Sequence, residues 1–231
     1  MADLVYTATL SVDGYTEDPD GRLDWSAPDE EVFSFVTALE RPAGTYLYGR
    51  RMYEAMLYWE RAVPAKGYVR EFAEMWRAAD KVVYSRSLAS VASARTRLEH
   101  DFDPEAVRRL KAAAARRITI GGGQLAGQAL AAGLVDELRL LTVPVVLGGG
   151  KPCLPTGVRL PLRLVDTRRF ASGVVYLRYR LDADLRTSST STGCTGLGLA
   201  PLKVSSMWRW LRPRYTGGHN GLRDEEGAPP P

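Results

Sequence analysis

The sequence contains few of the residues on which metal and nucleophile chemistry depend. In 231 residues it has two cysteines, Cys153 and Cys194, and two histidines, His100 and His219. Two cysteines cannot build a disulfide framework, which indicates a reducing compartment. The set is too small for the usual His/Cys metal sites, so we expect no metal. A Ser-His-Asp triad would have to use one of the two histidines.

Excess charge of one sign and long apolar runs are also scarce. The chain has 31 basic and 27 acidic residues, and a net charge of +4 is too small to predict nucleic-acid binding. No segment approaches the roughly 18 apolar residues of a membrane helix, and the N-terminus lacks the pattern of a signal peptide. We therefore expect a soluble cytoplasmic protein with neither a nucleic-acid nor a membrane partner.

Composition divides the chain near residue 186. Ser, Thr, Gly and Pro make up about half of residues 187–231, which show no sustained helical or strand period. This predicts one folded domain over residues 1–186 and a disordered tail over 187–231. The aromatic and basic cluster at residues 207–212 is either a short docking motif or an unselected part of that tail.

The first 186 residues alternate between strand and helix patterns. Strands are predicted at residues 4–12, 45–48, 81–84, 117–120, 137–146, 162–170 and 173–181, and helices begin near residues 28, 50, 68, 103 and 124. This order predicts an α/β three-layer sandwich, whose mixed, mostly parallel central sheet ends in a C-terminal antiparallel strand pair. Ligands of such sheets bind beyond the carboxyl ends of the strands.

Three predicted strands end in turns that suit phosphate groups. Residues 49–51 (GRR) place two cations at a helix start, which is unfavourable for the helix dipole unless an anion binds there. Residues 85–87 (SRS) combine an arginine fork with two hydroxyls, and residues 121–123 (GGG) lead into a helix N-terminus. Alone, residues 49–51 also fit a solvated pair of arginines, residues 85–87 an ordinary polar turn, and residues 121–123 a tight strand–helix turn. Together they indicate a cofactor that carries several phosphates.

An ordered set of motifs then resembles a known family. The motifs are SVDG (11–14), LDW (23–25), YGRRMYE (48–54), VYSRS (83–87), IGGG (120–123), GLVDE (133–137) and PVVLGGGKP (144–152). They resemble the dihydrofolate reductase-like superfamily, and within it the reductase domain of the riboflavin-biosynthesis deaminase–reductase and its stand-alone bacterial relatives. The resemblance covers about residues 3–181. The zinc-deaminase signature of the bifunctional protein does not occur in the sequence.

The resemblance implies NADPH as the hydride donor and assigns a set of residues to it. By position, the residues that would bind the cofactor are Gly49, Arg50, Arg51, Met52, Ser85, Arg86, Ser87, Gly121, Gly122, Gly123, Gln124 and Leu125. The first four would contact phosphates and the adenosine ribose, the next three the 2′-phosphorylated adenosine end, and the last five the pyrophosphate and nicotinamide ribose.

The resemblance assigns fewer residues to the substrate than to the cofactor. The family pattern Trp-x-x-Pro-x-acid fits residues 25–30 and would make Glu30 the carboxylate that orients the substrate and relays a proton. Glu30 also fits an ordinary acidic helix start. Asp13 would approach the nicotinamide or the substrate, or simply form the turn before Gly14. Trp25 would line the substrate pocket, or pack under its loop.

We therefore expect an NADPH-dependent reductase acting on a pterin-like or aminopyrimidine heterocycle. A substrate phosphate would need a further basic site, for which Arg22 and Lys151 are candidates. Two alternatives stay open at this point, a non-catalytic nucleotide-binding module of the same fold and an ordinary NAD-dependent Rossmann dehydrogenase. Because relatives commonly dimerise through the late strands of the sheet, we also expect a homodimer.

Overall fold

The structure is a computed structural model that describes residues 1–63 and 67–181. The predicted domain boundary at residue 186 and the predicted disordered tail lie outside the described residues. No helix within the described ranges is long and apolar enough to cross a membrane.

The described chain alternates between strands and helices as expected. In chain order, the elements are β1 (Leu4–Ser11), β2 (Tyr15–Glu17), a 3-10 turn (Asp24–Ser26), α1 (Glu30–Glu40), β3 (Ala43–Gly49), α2 (Arg50–Met56), α3 (Tyr58–Arg61), α4 (Gly67–Ala78), β4 (Asp80–Tyr84), β5 (Thr96–Glu99), α5 (Pro104–Ala113), β6 (Arg117–Gly121), α6 (Gly123–Ala131), β7 (Glu137–Val143), β8 (Lys151–Pro152), β9 (Leu162–Arg169) and β10 (Val175–Leu181).

Eight strands form one sheet in the order β5-β4-β3-β6-β1-β7-β10-β9. The strands from β5 to β7 in that order pair in parallel, while β10 runs antiparallel to both β7 and β9. The prediction of a mixed, mostly parallel sheet with a C-terminal antiparallel pair is confirmed. The short strands β2 and β8 form a separate antiparallel pair.

Helices cover both faces of the sheet because side chains alternate along its buried strands. Leu47 and Val82 belong to the apolar cluster that includes α5 and α6, whereas Tyr46, Tyr48 and Val83 belong to the cluster that includes α4. Helix α1 packs on a third cluster over β7 and β10, and its Phe33 contacts Phe72 of α4 edge to face at 5.6 Å. This arrangement is the three-layer α/β sandwich that the sequence predicts.

Capping residues fix where two of the helices begin. The Asp29 side chain accepts a hydrogen bond from the Val32 N–H at 2.8 Å, which sets the start of α1 at Glu30. Asp103 accepts from the Glu105 N–H, and Pro104 occupies the first position of α5. Both starts agree with the sequence-based predictions to within two residues.

The structure differs from the predicted elements at several places, which include the unpredicted short elements β2, α3 and β8. The strand predicted to run to residue 146 ends at Val143, because Pro144 has no N–H to continue the ladder. Strand β5 was not predicted, since its four residues alternate charged and partly buried side chains over too short a length. Its parallel pairing with β4 places Glu99 beside Tyr84, so the residues that follow Glu99 also reach the carboxyl edge of the sheet.

Buried charges hold the C-terminal end of α1 against the sheet. The Arg139 guanidinium is 3% exposed, bonds to Glu137 at 2.7 Å and donates to the Leu39 carbonyl at 3.0 Å. Arg178 donates to the other Glu137 oxygen at 2.8 Å. Burial acts to raise the pKa of Glu137, but these hydrogen bonds outweigh it and lower that pKa. A cation at a helix C-terminus also complements the helix dipole, so the last turn of α1 has a fixed position.

Candidate active site

A cleft of about 620 Å³ lies along the carboxyl edge of the parallel strands. It is lined by the segments that follow β3, β4, β5 and β6, together with one residue of β8. Its lining residues are Gly49, Arg50, Arg51, Met52, Tyr84, Ser85, Arg86, His100, Asp101, Phe102, Gly122, Gln124, Leu125, Gln128 and Lys151. The three turns singled out in the sequence therefore meet at one edge.

The glycine turn after β6 lets a ligand approach the backbone closely. Gly122 caps the N-terminus of α6 with a φ of +94°, a conformation that side-chain-bearing residues rarely adopt. A Cβ on Gly121 would lie 3.1 Å from the Tyr48 ring, and one on Gly123 would lie 3.1 Å from the Pro152 carbonyl oxygen. Side chains at these positions would therefore collide with neighbouring protein atoms. The unpaired N–H groups at the N-terminus of α6 lie at the same turn.

Several cations line the cleft. Arg50 and Arg51 open α2, and Arg50 lies 3.9 Å from Glu54. Arg86 bonds to Asp101, which follows β5. The glycine turn and these arginines together form a donor set that suits a dinucleotide with several phosphates, so the residues present fit NADPH.

A second cavity of about 690 Å³ opens next to the cleft, between the sheet, α1, α2 and α4. Four residues line both spaces, namely Arg51, Met52, Gly122 and Lys151. Lys151 bonds to Glu17 at 2.8 Å across the β2–β8 pair, which fixes its position at this shared wall. A ligand in the cleft and one in the cavity can therefore meet at the glycine turn.

The second cavity has aromatic and apolar walls and a polar floor. Tyr46 and Tyr48 stack with ring centroids 5.5 Å apart, and Phe72 faces in from α4. At the floor, the Glu40 carboxylate accepts hydrogen bonds from the Thr119 hydroxyl at 2.9 Å and the Thr7 hydroxyl at 3.2 Å. Burial raises the pKa of Glu40, although the Thr119 hydrogen bond and the charge of Arg139 oppose the shift. A flat, mostly apolar ligand with one polar edge suits this cavity.

The predicted cofactor residues are brought together almost completely. All of them line the cleft or the second cavity except Ser87, whose N–H instead bonds to the Ser85 hydroxyl oxygen at 3.2 Å. Ser85 also accepts from the Leu88 N–H, so its hydroxyl shapes the turn that carries Arg86. Their assignment to a cofactor stays a prediction that this convergence supports.

The residues predicted for catalysis and substrate binding lie elsewhere. The exposed Asp13 carboxylate accepts from the N–H groups of Leu147 and Gly148, the latter at 2.7 Å. A hydrogen bond with Ser11 and these two bonds lower the pKa of Asp13. Asp13 thus joins the loop after β1 to the glycine turn after β7, and it is not among the residues that line either space.

Glu30 and Trp25 are also absent from the lining of both spaces. Glu30 is the exposed first residue of α1, and Glu40 at the other end is the acid of that helix that reaches the cavity. The Trp25 indole N–H donates to the Arg22 carbonyl at 3.2 Å, while its neighbours Leu23 and Ser26 line the cavity. The geometry gives the predicted roles of Asp13, Glu30 and Trp25 no support.

Sequence reasoning missed several residues of the site. Residues 100–102 reach the cleft only because β5 pairs with β4, and no strand was predicted there. Glu40, Thr7 and Thr119 come from three separate elements, and only the pairing of β1 with β6 brings the two threonines together. No local sequence signal distinguishes Glu40 from the other acids of α1.

Comparison with known proteins agrees with this architecture. A family model described as the RibD C-terminal domain matches residues 2–176. The chain belongs to the RibD C-terminal domain family. A relative, the uncharacterized protein YyaP of Bacillus subtilis (strain 168), is 31% identical over 183 residues, which cover 76% of this chain and 93% of YyaP.

Solved structures show that this fold is dihydrofolate reductase-like. A putative riboflavin biosynthesis protein from Shewanella has a TM-score of 0.62 at 23% identity and covers 79% of this chain and 99% of its own. The Thermotoga maritima deaminase/5-amino-6-(5-phosphoribosylamino)uracil reductase has a TM-score of 0.56 at 14% identity. The match covers 78% of this chain and 57% of the Thermotoga chain. Enterococcus faecalis dihydrofolate reductase, complexed with NADP(H), has a TM-score of 0.55 at 16% identity. The match covers 78% of this chain and 96% of the Enterococcus chain.

Proposed function

We propose that this member of the RibD C-terminal domain family is an NADPH-dependent reductase that transfers a hydride to a pterin-like or aminopyrimidine heterocycle. The observation that carries the proposal is the shared wall at Gly122, where a cleft suited to phosphates opens into an aromatic cavity. Family membership and the reductases among the structural neighbours support an oxidoreductase. The neighbour complexed with NADP(H) supports the choice of cofactor.

The chain's own residues would bind and orient the reactants. NADPH supplies the hydride when bound. The glycine turn and Arg50, Arg51 and Arg86 would hold the phosphates beside the wall that the cleft shares with the cavity. Tyr48 and Phe72 exclude water on the cavity side, and hydride transfer itself requires no protein nucleophile.

Titration with NADPH tests the proposal directly. We expect saturable binding with a Kd at or below about 100 µM, a level typical of enzyme cofactor sites. Quenching of the fluorescence of the chain's five tryptophans measures it. An NADPH-oxidation assay with dihydrofolate and the deaminated ribosylaminopyrimidine then screens the acceptor. Absence of saturable binding would refute the reductase, and binding without turnover of any heterocycle would favour the non-catalytic module.

Arg86 is expected to determine the preference for NADPH over NADH. Its side chain is 82% exposed and is oriented by Asp101 at the adenosine end of the cleft, where a 2′-phosphate would lie. In Arg86→Ala, Asp101 would lose its cation and would repel that phosphate. The variant should therefore bind NADPH roughly 5- to 10-fold more weakly, the effect of losing one exposed charge-assisted contact. Its affinity for NADH should change less than about 2-fold, because NADH has no 2′-phosphate.

Arg109→Ala is the matched control for this variant. Arg109 is also an exposed arginine paired with a nearby aspartate, Asp103, but it does not line the cleft. It should leave both affinities unchanged. If Arg86→Ala weakens NADPH and NADH equally, Arg86 does not read the 2′-phosphate.

Homodimer formation and the cytoplasmic location stay proposals. The outer strand β9 supports the first, since all eight of its residues are exposed, with Leu164 51% exposed.

A further inference from the structure

An ion pair lies at the wall between the cleft and the second cavity. Lys151 lines both spaces, and its ammonium bonds to the Glu17 carboxylate at 2.8 Å. Both side chains are partly buried, and Glu17 also lines the second cavity. A ligand that enters the cavity therefore meets a cation whose charge is already balanced by a neighbouring carboxylate.

The backbone holds this pair in place from both sides. Glu17 and Lys151 are opposite one another in the antiparallel β2–β8 pair, and the Thr16 hydroxyl donates to the Lys151 carbonyl at 3.2 Å. Gly150 packs so closely on β2 that a Cβ there would lie 1.9 Å from the Glu17 carbonyl oxygen. Because opposite-charge side chains directly across a strand pair stabilise each other, the pair is formed before any ligand binds.

The turn after β2 places a further carboxylate in the cavity wall. The Asp18 carboxylate accepts from the Arg22 N–H at 2.7 Å, and the Gly21 N–H donates to the Asp18 carbonyl at 2.9 Å, which closes a tight turn. Asp20 and Gly21 line the cavity, whereas Arg22 lines neither space. Of the two basic residues that the sequence offered for a substrate phosphate, one is therefore outside the site and the other is paired with Glu17.

The charges around the second cavity do not favour an anion. Within the part of the chain that the structure describes, its wall carries three acids, Glu17, Asp20 and Glu40, and two bases, Arg51 and Lys151. Arg51 also lines the cleft, where the phosphates of a dinucleotide would pair with it. A phosphate monoester has a charge of about −1.5 to −2 at pH 7, so it would lose hydration here without gaining a free cation.

We propose that the second cavity selects a hydride acceptor without a phosphate group, a flat heterocycle of neutral or positive charge, and that Glu17 sets this selectivity by neutralising Lys151. Naming the ligand a hydride acceptor rests on the proposed function. The charge selectivity rests on the ion pair, on the turn that carries Asp20 and on the position of Arg51 between the two spaces. Among the acceptors that the proposed function leaves open, it favours those that lack a phosphoribosyl group.

Two pterins that differ by one phosphate test this selectivity. We expect 6-hydroxymethylpterin to bind the full-length protein at least about 10-fold more tightly than its phosphate monoester at low ionic strength, because like charges repel across a partly buried wall. Pterin fluorescence measures both affinities, and saturating NADP⁺, which has no hydride to transfer, keeps the cleft occupied. The ratio should shrink in about 1 M NaCl, where the Debye length is about 3 Å, whereas steric exclusion would leave it unchanged.

Glu17→Gln should remove most of this preference, because it leaves Lys151 free to pair with the phosphate. The double variant Glu17→Gln/Lys151→Met should restore the preference, since the freed cation is gone, and this recovery separates a charge effect from damage to the fold. Asp24→Asn is the matched control, because Asp24 is an exposed acid of the neighbouring 3-10 turn that lines neither space. It should keep the wild-type ratio.

The proposal is overturned if the wild type fails to bind 6-hydroxymethylpterin, if it binds both pterins equally, or if it prefers the phosphate monoester. It is also overturned if Glu17→Gln keeps the wild-type ratio, or if 1 M NaCl does. If Glu17→Gln does not fold, Asp20→Asn decides, because it removes a carboxylate of the cavity wall and leaves the ion pair in place. A reduced ratio then supports the proposal and an unchanged ratio overturns it.

Titration of the wild type with NADPH separates this inference from the proposed function. Without NADPH binding, the pterin ratio is measured on the protein alone. A ratio that depends on Glu17 would then refute the reductase and leave the charge-selective cavity standing. Normal NADPH binding with a ratio that ignores Glu17 would do the reverse.

Discussion

Arg139→Met is expected to lower the free energy of unfolding by about 3 to 5 kcal/mol, the usual cost of removing one partner from a buried ion pair. The substitution leaves Glu137, whose side chain is 1% exposed, with Arg178 as its remaining cation. It also removes the hydrogen bond to the Leu39 carbonyl that holds the end of α1. Urea unfolding at neutral pH measures the loss.

The loss should depend on pH in a defined direction. The pKa of Glu137 lies below its usual 4.5 in the folded protein, so the pair stabilises the fold above that value and ceases to do so as pH falls through the folded pKa. Without Arg139 the pKa of Glu137 rises. The difference between wild type and variant should therefore be largest near neutral pH and shrink towards acid.

Two further variants show whether the buried pair is the cause. Arg109→Met removes an exposed arginine whose side chain is 73% exposed, and it should cost less than about 1 kcal/mol. Replacing Glu137 and Arg139 together with methionine should recover part of the loss, because it also removes the buried carboxylate that the single variant leaves with one cation, while Arg178, which loses its partner, is 32% exposed. A single variant as stable as wild type, or a double variant no better than the single, would contradict this account.

Most of the sheet was predictable from the sequence because its central strands are largely buried and rich in apolar residues. Segments such as residues 81–84 and 117–120 have a clear apolar pattern, and Pro104 and Asp29 mark helix starts through simple capping chemistry. The elements missed are those that tertiary pairing creates. Strand β5 and the β2–β8 pair are too short to show a pattern, and they exist because a neighbouring strand offers hydrogen-bond partners.

The cofactor side of the site was predictable for a related reason. Residues directly after parallel strands must meet at one edge, so reading Gly49, Arg86 and Gly122 off strand ends also located them in space. The substrate side of the site was not predictable from the sequence, because its residues depend on which side of a helix faces the cavity. Glu30 and Glu40 occupy the same helix, and nothing in their local sequence shows that the second one reaches the sheet between Thr7 and Thr119.

Gly150→Ala is expected to open the β2–β8 pair and to lower the free energy of this local opening by about 3 kcal/mol or more, a size typical of strain at a special backbone position. Gly150 has a φ of +126°, and a Cβ there would lie 1.9 Å from the Glu17 carbonyl oxygen. That neighbour is backbone, so the contact cannot be relieved by a rotamer change. Because Glu17 pairs with Lys151, the strand carrying the shared wall of the site must move.

Hydrogen exchange locates this opening and separates it from a general loss of stability. The Cys153 N–H donates to the Gly14 carbonyl at 2.9 Å, so its protection should fall on the order of 100-fold in Gly150→Ala, while that of Ile118 in the central sheet falls less. Gly148→Ala is the matched control, since Gly148 also has a positive φ, +73°, but has open space around it. It should keep the Cys153 protection. If both variants lose it equally, backbone conformation in the loop, and not contact with Glu17, maintains the wall between cleft and cavity.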